Sequence, residues 1–305
     1  MGTTVEVYLY APSSVRAAAL LEAAFAEVER VEAALSNYRP TSELSRINAA
    51  AATAPVTTDP EVFGLIARAL DYSRRSEGAF DITVGPLVKA WGFFDGAGRY
   101  PSDDELADAR ARSGWRQVDL DETTRRVRFL APGLELDLGA IGKGWALDCA
   151  AATLRRNGVR AALLSAGQST YYAIGAPPHE RGWPIHVTDP QDTTRTLSTA
   201  LLRDQALSTS GTGEQSFELG GQRYSHIVDP RTGQPVAGMA QVTVTAPTAT
   251  DSDALATAIF VLGPERATEL IRGPPAGAAL LVMEASGEGR VLALDWPERV
   301  ARLSR

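Results

Sequence analysis

Two periods of hydrophobic and polar positions recur along the chain, and each predicts its own kind of element. Val5, Val7 and Leu9 alternate with Glu6, Tyr8 and Tyr10, which predicts a strand with one aliphatic face. From about residue 14 to 35 the spacing becomes helical. Leu20, Leu21, Ala24, Phe25, Val28, Val31 and Leu35 recur at helical spacing, and Glu22, Glu27, Glu29 and Glu32 face elsewhere. Residues 36–48 are polar and turn-rich and read as a loop between helices. Asp59-Pro60, a capping residue followed by proline, opens a second helix that runs to about Ser76 and stops at Gly78. A capping box at Ser102-Asp103-Asp104-Glu105 opens a short one.

Segments 118–120, 127–130 and 134–138 read as an antiparallel set, with turns at 121–124 and at Pro132-Gly133. A helix follows from about Lys143 to Asn157 and ends at Gly158. Further strands are predicted over 161–165, 185–187, 197–202, 223–228 and 242–246. A helix capped by Asp251 or Ser252 then runs to Gly263, a last helix spans about 264–272, and strands over 278–284 and 291–294 close the chain.

With 305 residues, 44% hydrophobic and 22% charged, the chain has the make-up of a soluble globular protein. Its net charge of −7 provides no basic footprint for a nucleic acid. Cys149 is the one cysteine, so neither an intrachain disulfide nor a multi-cysteine metal site is available. Its apolar helical setting predicts a buried, inert thiol. No apolar run reaches membrane-spanning length. Met1 leads straight into the first strand, so the expectation is either a protein without an export leader or a sequence from which it is missing.

Candidate chemistry gathers in a few polar stretches. Ser225-His226-Ile227-Val228-Asp229-Pro230-Arg231-Thr232-Gly233 predicts a strand entering a rigid turn, because Pro230 fixes φ, biases Asp229 to extended backbone and is followed by a permissive Gly233. The same residues are good turn chemistry anywhere. Of the other two histidines, His179 sits in a polar loop and His186 on one face of a strand. Gly139-Ala140-Ile141-Gly142-Lys143-Gly144, between a strand and a helix, is a candidate anion site, although its spacing matches neither a P-loop nor the dinucleotide fingerprint. Residues 206–213, rich in Ser, Thr and Gly, read as a loop, either a phosphate-binding nest or a flexible one. Asp253 and Thr257 are four apart and share a helical face, which sets a carboxylate beside a hydroxyl, both hard ligands for Mg²⁺. The plainer alternative is a first-turn Asp and a Thr bonded back to a carbonyl.

In order and spacing these stretches resemble one family, the FAD:protein FMN transferases, flavin transferases formerly called thiamine-biosynthesis lipoproteins. The matching segments are Met1-Gly2-Thr3 and residues 38–48, 78–92, 137–148, 208–211, 224–233 and 253–263. The resemblance implies one flavin transferase domain over residues 1–305, of α+β class. It would consist of two intertwined α/β lobes with mainly antiparallel sheets and an FAD cleft between them. It implies a Mg²⁺ site from the Asp253 and Thr257 side chains and the Ala140 carbonyl. It also implies FAD contacts from Met1, Tyr38, Ala79, Phe80, Asp81, Asp137, Lys143 and His226.

Members of the family split FAD at its pyrophosphate, attach FMN to a Thr or Ser of an acceptor redox protein and release AMP; some hydrolyse FAD to FMN and AMP instead. On that chemistry His226 is the expected base, with Asp229 as its orienting partner. Lys143 and the Asp253-bound metal would neutralise phosphate charge. Tyr38 and Phe80 would pack on flavin or adenine rings. The family points to the cell envelope, with membrane attachment only through a leader or lipid anchor; without export the cytoplasm is the alternative. One departure stands out: Ala166-Gly167-Gln168-Ser169 replaces the family's usual double glycine and acidic or similar polar residue. It keeps open a non-catalytic FAD-binding protein, beside the FAD pyrophosphatase that the hydrolysing members of the family suggest.

Overall fold

A computed structural model describes residues 3–94, 96, 98–213, 216–219, 222–283 and 290–300. In chain order the elements are β1 (Val5–Leu9), α1 (Ser14–Leu35), α2 (Glu43–Ala50), β2 (Val56–Thr57), α3 (Pro60–Arg75), α4 (Gly85–Ala90), α5 (Asp103–Ala111), β3 (Val118–Asp121), β4 (Arg126–Phe129) and α6 (Gly139–Arg156). They continue with β5 (Ala162–Ala166), β6 (Thr170–Ile174), β7 (Trp183–Thr188), β8 (Thr196–Leu202), β9 (Gln205–Gly211), β10 (Ser216–Leu219), β11 (Gln222–Ser225), β12 (Val228–Asp229) and β13 (Gln234–Pro235). The last five are β14 (Met239–Ala246), α7 (Ala249–Leu262), α8 (Pro264–Arg272), β15 (Ala278–Met283) and β16 (Arg290–Leu294). Every strand pair is antiparallel, as the α+β reading requires.

The chain forms two compact units, each discontinuous in sequence. One contains Met1–Glu32, Ile141–Gly211 and Gly238–Arg305, the other Ala33–Ala140 and Thr212–Ala237. The backbone therefore passes between them four times, which is the intertwining expected above.

The first unit is built on a seven-stranded sheet of order β1-β5-β6-β9-β14-β15-β16. Leu20, Ala24 and Val28 of α1 and Leu147, Ala150 and Leu154 of α6 pack on Leu164, Tyr172, Ile174 and Ala206. On another cluster the β7–β8 hairpin sets Ile185, Val187, Ala200 and Leu202 against Ala173, Leu207 and Leu280. Helix α7 is buried nearly all round, with most of its polar residues in the first two turns and mostly apolar ones beyond. From Ala249 to Val261 only Thr257 is more than marginally exposed.

The second unit holds the amphipathic α3, whose Val62, Phe63, Leu65, Ile66, Ala69 and Tyr72 are buried, a three-stranded sheet of order β2-β4-β3, and the β10–β11 and β12–β13 hairpins. Trp91 is fully buried and donates from Nε1 to the Gly233 carbonyl at 2.8 Å.

Several expectations are corrected. Residues 134–138 alternate in burial, with Leu134, Leu136 and Leu138 all buried, but they join no ladder. The Asn48 side chain takes the place of a strand: its Oδ1 accepts from Leu136 N at 2.8 Å and its Nδ2 donates to Leu136 O at 3.0 Å. The third strand of that sheet is β2. Helix α6 starts at Gly139, so the glycines expected in a loop lie inside its first turns. Residues 205–211 are not a loop but the strand β9, hydrogen-bonded between β6 and β14. Helix α7 is capped by Thr248, whose Oγ1 accepts from Asp251 N at 3.2 Å, ahead of the residues expected to cap it. Cys149 is half-buried rather than buried.

Candidate functional site

In the first unit the polar residues of α7 meet those of α6, β6 and β9. Asp253 is 5% exposed. Its Oδ2 accepts from the Gly144 backbone N–H at 3.0 Å and its Oδ1 from Thr170 Oγ1 at 3.5 Å. One turn on, Thr257 Oγ1 lies 3.2 Å from Ser210 Oγ. Thr257 is the one point between Ala249 and Val261 where the helix surface opens.

Two features of α6 place this face of α7. Gly144 lets the backbones approach, since a Cβ there would sit 2.2 Å from the Ala249 carbonyl oxygen. Asp148, four residues on, accepts from the first N–H groups of α7, Ala249 N at 2.8 Å and Thr250 N at 2.9 Å. Those donors have no partner within their own helix, and a carboxylate also suits the positive end of the helix dipole. Among the described residues no group of three or more His, Cys, Asp and Glu side chains is suited to a metal ion. A divalent cation here would use one carboxylate with hydroxyl and carbonyl oxygens, a hard donor set that fits Mg²⁺ with several waters retained.

The second unit contains a cavity of about 270 Å³ lined by Asn37, Asn48, Lys89, Phe94, Glu135 and Asp137, among others. Lys89 is ion-paired with Glu135 and its Nζ stands 5.2 Å from the centre of the Phe94 ring. Phe94 is stacked with Tyr38, with ring centroids 4.7 Å apart and planes at 20°, and Tyr38 is 66% exposed. Asp137 accepts from Gly139 N at 2.7 Å. It keeps some accessible surface, but desolvation among its neighbours raises its carboxyl above the usual range, against hydrogen bonds that pull it down.

The remaining expected residues fall as follows. Asp81 Oδ1 accepts from Thr83 N and Oγ1 at 2.8 and 2.7 Å, and its Oδ2 accepts from Trp115 N at 2.8 Å. Burial raises its pKa, with those bonds opposing. Ala79 and Phe80 are both 1% exposed, and the Phe80 ring packs edge-on against Tyr72. A ring-stacking role is therefore corrected for Phe80: its ring belongs to the core. His226 follows β11, half-buried, its ring edge-on to Phe93 at 6.5 Å. Both Asp229 carboxylate oxygens bond Arg231: Oδ1 accepts from its N and Nε, Oδ2 from its Nη2.

Lys143 is half-buried on α6 and Ala140 lies in the first turn of that helix. Met1 lies outside the described residues. Gln168 occupies the β5–β6 turn with φ of 56°, beside Gly167 at 64°. Both residues therefore occupy the left-handed region, which glycine enters at no steric cost and glutamine does not. Sequence reasoning missed Thr170 and Phe94, and gave no individual role to Ser210 and Asn48, which lie in stretches it singled out.

The fold is shared with solved flavin transferases. The crystal structure of the ApbE protein from Thermotoga maritima matches with a TM-score of 0.87 at 31% identity, covering 96% of this chain and 94% of that one. The flavin transferase ApbE from Vibrio cholerae matches with a TM-score of 0.86 at 29% identity, covering 97% and 95%. An FAD:protein FMN transferase from Treponema pallidum (strain Nichols) is 35% identical over 293 residues, 91% of this chain and 80% of that protein. The Escherichia coli (strain K12) protein of the same name is 30% identical over 294 residues, 94% of this chain and 83% of its own length. The model of the ApbE family matches residues 1–281, and the chain belongs to that family.

Proposed function

We propose that this protein is an Mg²⁺-dependent FAD:protein FMN transferase whose acceptor is a Thr or Ser hydroxyl of a redox protein at the cell envelope. The observation that carries the reading is the hard oxygen pair of Asp253 and Thr257, held at an opening on an otherwise buried helix, in a chain of this family. Asp253, Thr257 and the Ala140 carbonyl would hold the ion. Gly144 N–H, the ordinary helical donor to that carbonyl, is engaged by Asp253 Oδ2 at 3.0 Å. When bound, the ion would neutralise charge on the pyrophosphate oxygens.

The chain's own residues would supply the rest. Lys143 would add positive charge beside the phosphates, and the exposed Tyr38, stacked on the half-buried Phe94, a surface for a ring of FAD. His226 would take the proton of the acceptor hydroxyl, whose oxygen bonds to the FMN phosphorus as the bond to the AMP phosphate breaks. AMP leaves with that electron pair, and no redox change occurs. Asp253→Ala is expected to abolish metal-dependent turnover while sparing part of the FAD binding. His226→Ala is expected to slow transfer more than it weakens FAD binding. Unchanged turnover in the first, or equal losses in the second, would remove the role assigned to that residue.

A further inference from the structure

We infer that Ser210 is a positioning residue whose hydroxyl fixes the orientation of the Thr257 hydroxyl for a divalent cation. The inference rests on the metal reading above. A hydroxyl that coordinates a cation through oxygen must direct its proton elsewhere. On a helix the usual destination is the carbonyl one turn back, which turns the lone pairs away. Here Ser210 Oγ lies 3.2 Å from Thr257 Oγ1 and offers an acceptor outside the helix.

The strand is locked to the helix at a second point. Ser252 Oγ donates to the Ala249 carbonyl at 3.1 Å, so Ser208 donates to Ser252 Oγ at 2.7 Å. Ser208 and Ser210, two apart on the strand, fall on the same face of β9. Thr209 points the other way, to Thr243 Oγ1 at 2.9 Å. A central strand is favoured by β-branched and aromatic residues. Yet β9 lies between β6 and β14 with two serines turned toward α7, which suits positioning better than packing.

The test is Mn²⁺ binding to the full chain, followed by the paramagnetic resonance of free Mn²⁺. Ser210→Ala is expected to weaken binding about tenfold, as loss of a partner behind a metal ligand does. Ser210→Thr should restore it, and the Tm of both variants in EDTA should stay near that of the parent. Parent-like Mn²⁺ affinity in Ser210→Ala would overturn the inference, whether or not its Tm falls. The metal reading survives that result if Thr257→Val loses Mn²⁺. Parent-like affinity in both Thr257→Val and Asp253→Asn would sink the two together.

Discussion

Gly144→Ala isolates the packing that presents the α7 ligands. The new Cβ would lie 2.2 Å from the Ala249 oxygen, 2.5 Å from its carbonyl carbon and 2.7 Å from Thr250 N, all backbone atoms that no rotamer change can clear. Ordinary contact requires roughly 1 Å of separation between α6 and α7. That shift would stretch Gly144 N–Asp253 Oδ2 from 3.0 Å, and the Asp148 bonds from 2.8 and 2.9 Å, to about 4 Å, beyond hydrogen bonding. Hydrogen bonds to charged groups contribute about 1.5–3 kcal/mol each, so losing these three costs roughly 4.5–9 kcal/mol. The helix propensity of alanine over glycine returns about 1 kcal/mol. The net expectation is a loss of about 3.5–8 kcal/mol, read as a fall of several degrees or more in Tm, together with loss of Mn²⁺ binding. The control is Gly64→Ala in α3, where a Cβ meets nothing within 4 Å. It should raise stability by about 1 kcal/mol. If Gly144→Ala melts at or above the parent, as Gly64→Ala should, the close approach does not hold α7.

Other perturbations separate core from site. Tyr38→Ala should leave Tm nearly unchanged, because the ring is 66% exposed, yet weaken FAD binding by about 1–3 kcal/mol in a fluorescence titration; Phe80→Ala should instead cost about 3–5 kcal/mol of stability. Gln168→Gly should raise Tm modestly, since relief of left-handed backbone at φ of 56° contributes about 1 kcal/mol; a lower Tm would show that the side chain compensates. Asp137, raised by burial, should titrate above the usual carboxyl range when followed by carbon NMR. A raised folded pKa means the folded state holds the proton more tightly. The stabilisation is therefore complete below the unfolded pKa of about 3.9 and is lost as pH rises through the folded value.

Much of this was legible from local pattern. The four-residue spacing of Asp253 and Thr257 gave their shared face, and the aliphatic alternation of β1 and the long stripe of α1 gave those elements. What was not legible depended on partners distant in sequence. The 206–213 stretch carries the composition of a loop, and only its pairing with β6 and β14 makes most of it a strand. Residues 134–138 carry a strand's alternation, but the partner that satisfies Leu136 is the amide of Asn48, 88 residues away. Glycines 139, 142 and 144 looked like loop residues because local propensity says nothing of a second helix that needs the space at Gly144. Phe94 joins the site through Tyr38 stacked on it, a pairing across 56 residues with no sequence signature.

The most direct test of the central claim is incubation of the protein with FAD and Mg²⁺, with and without an acceptor peptide bearing a target threonine, following AMP and peptide mass. The account predicts AMP together with a peptide heavier by one FMN phosphoester. AMP at the same rate with no flavinylated peptide would make the protein a hydrolase, and intact FAD with no AMP would contradict turnover altogether.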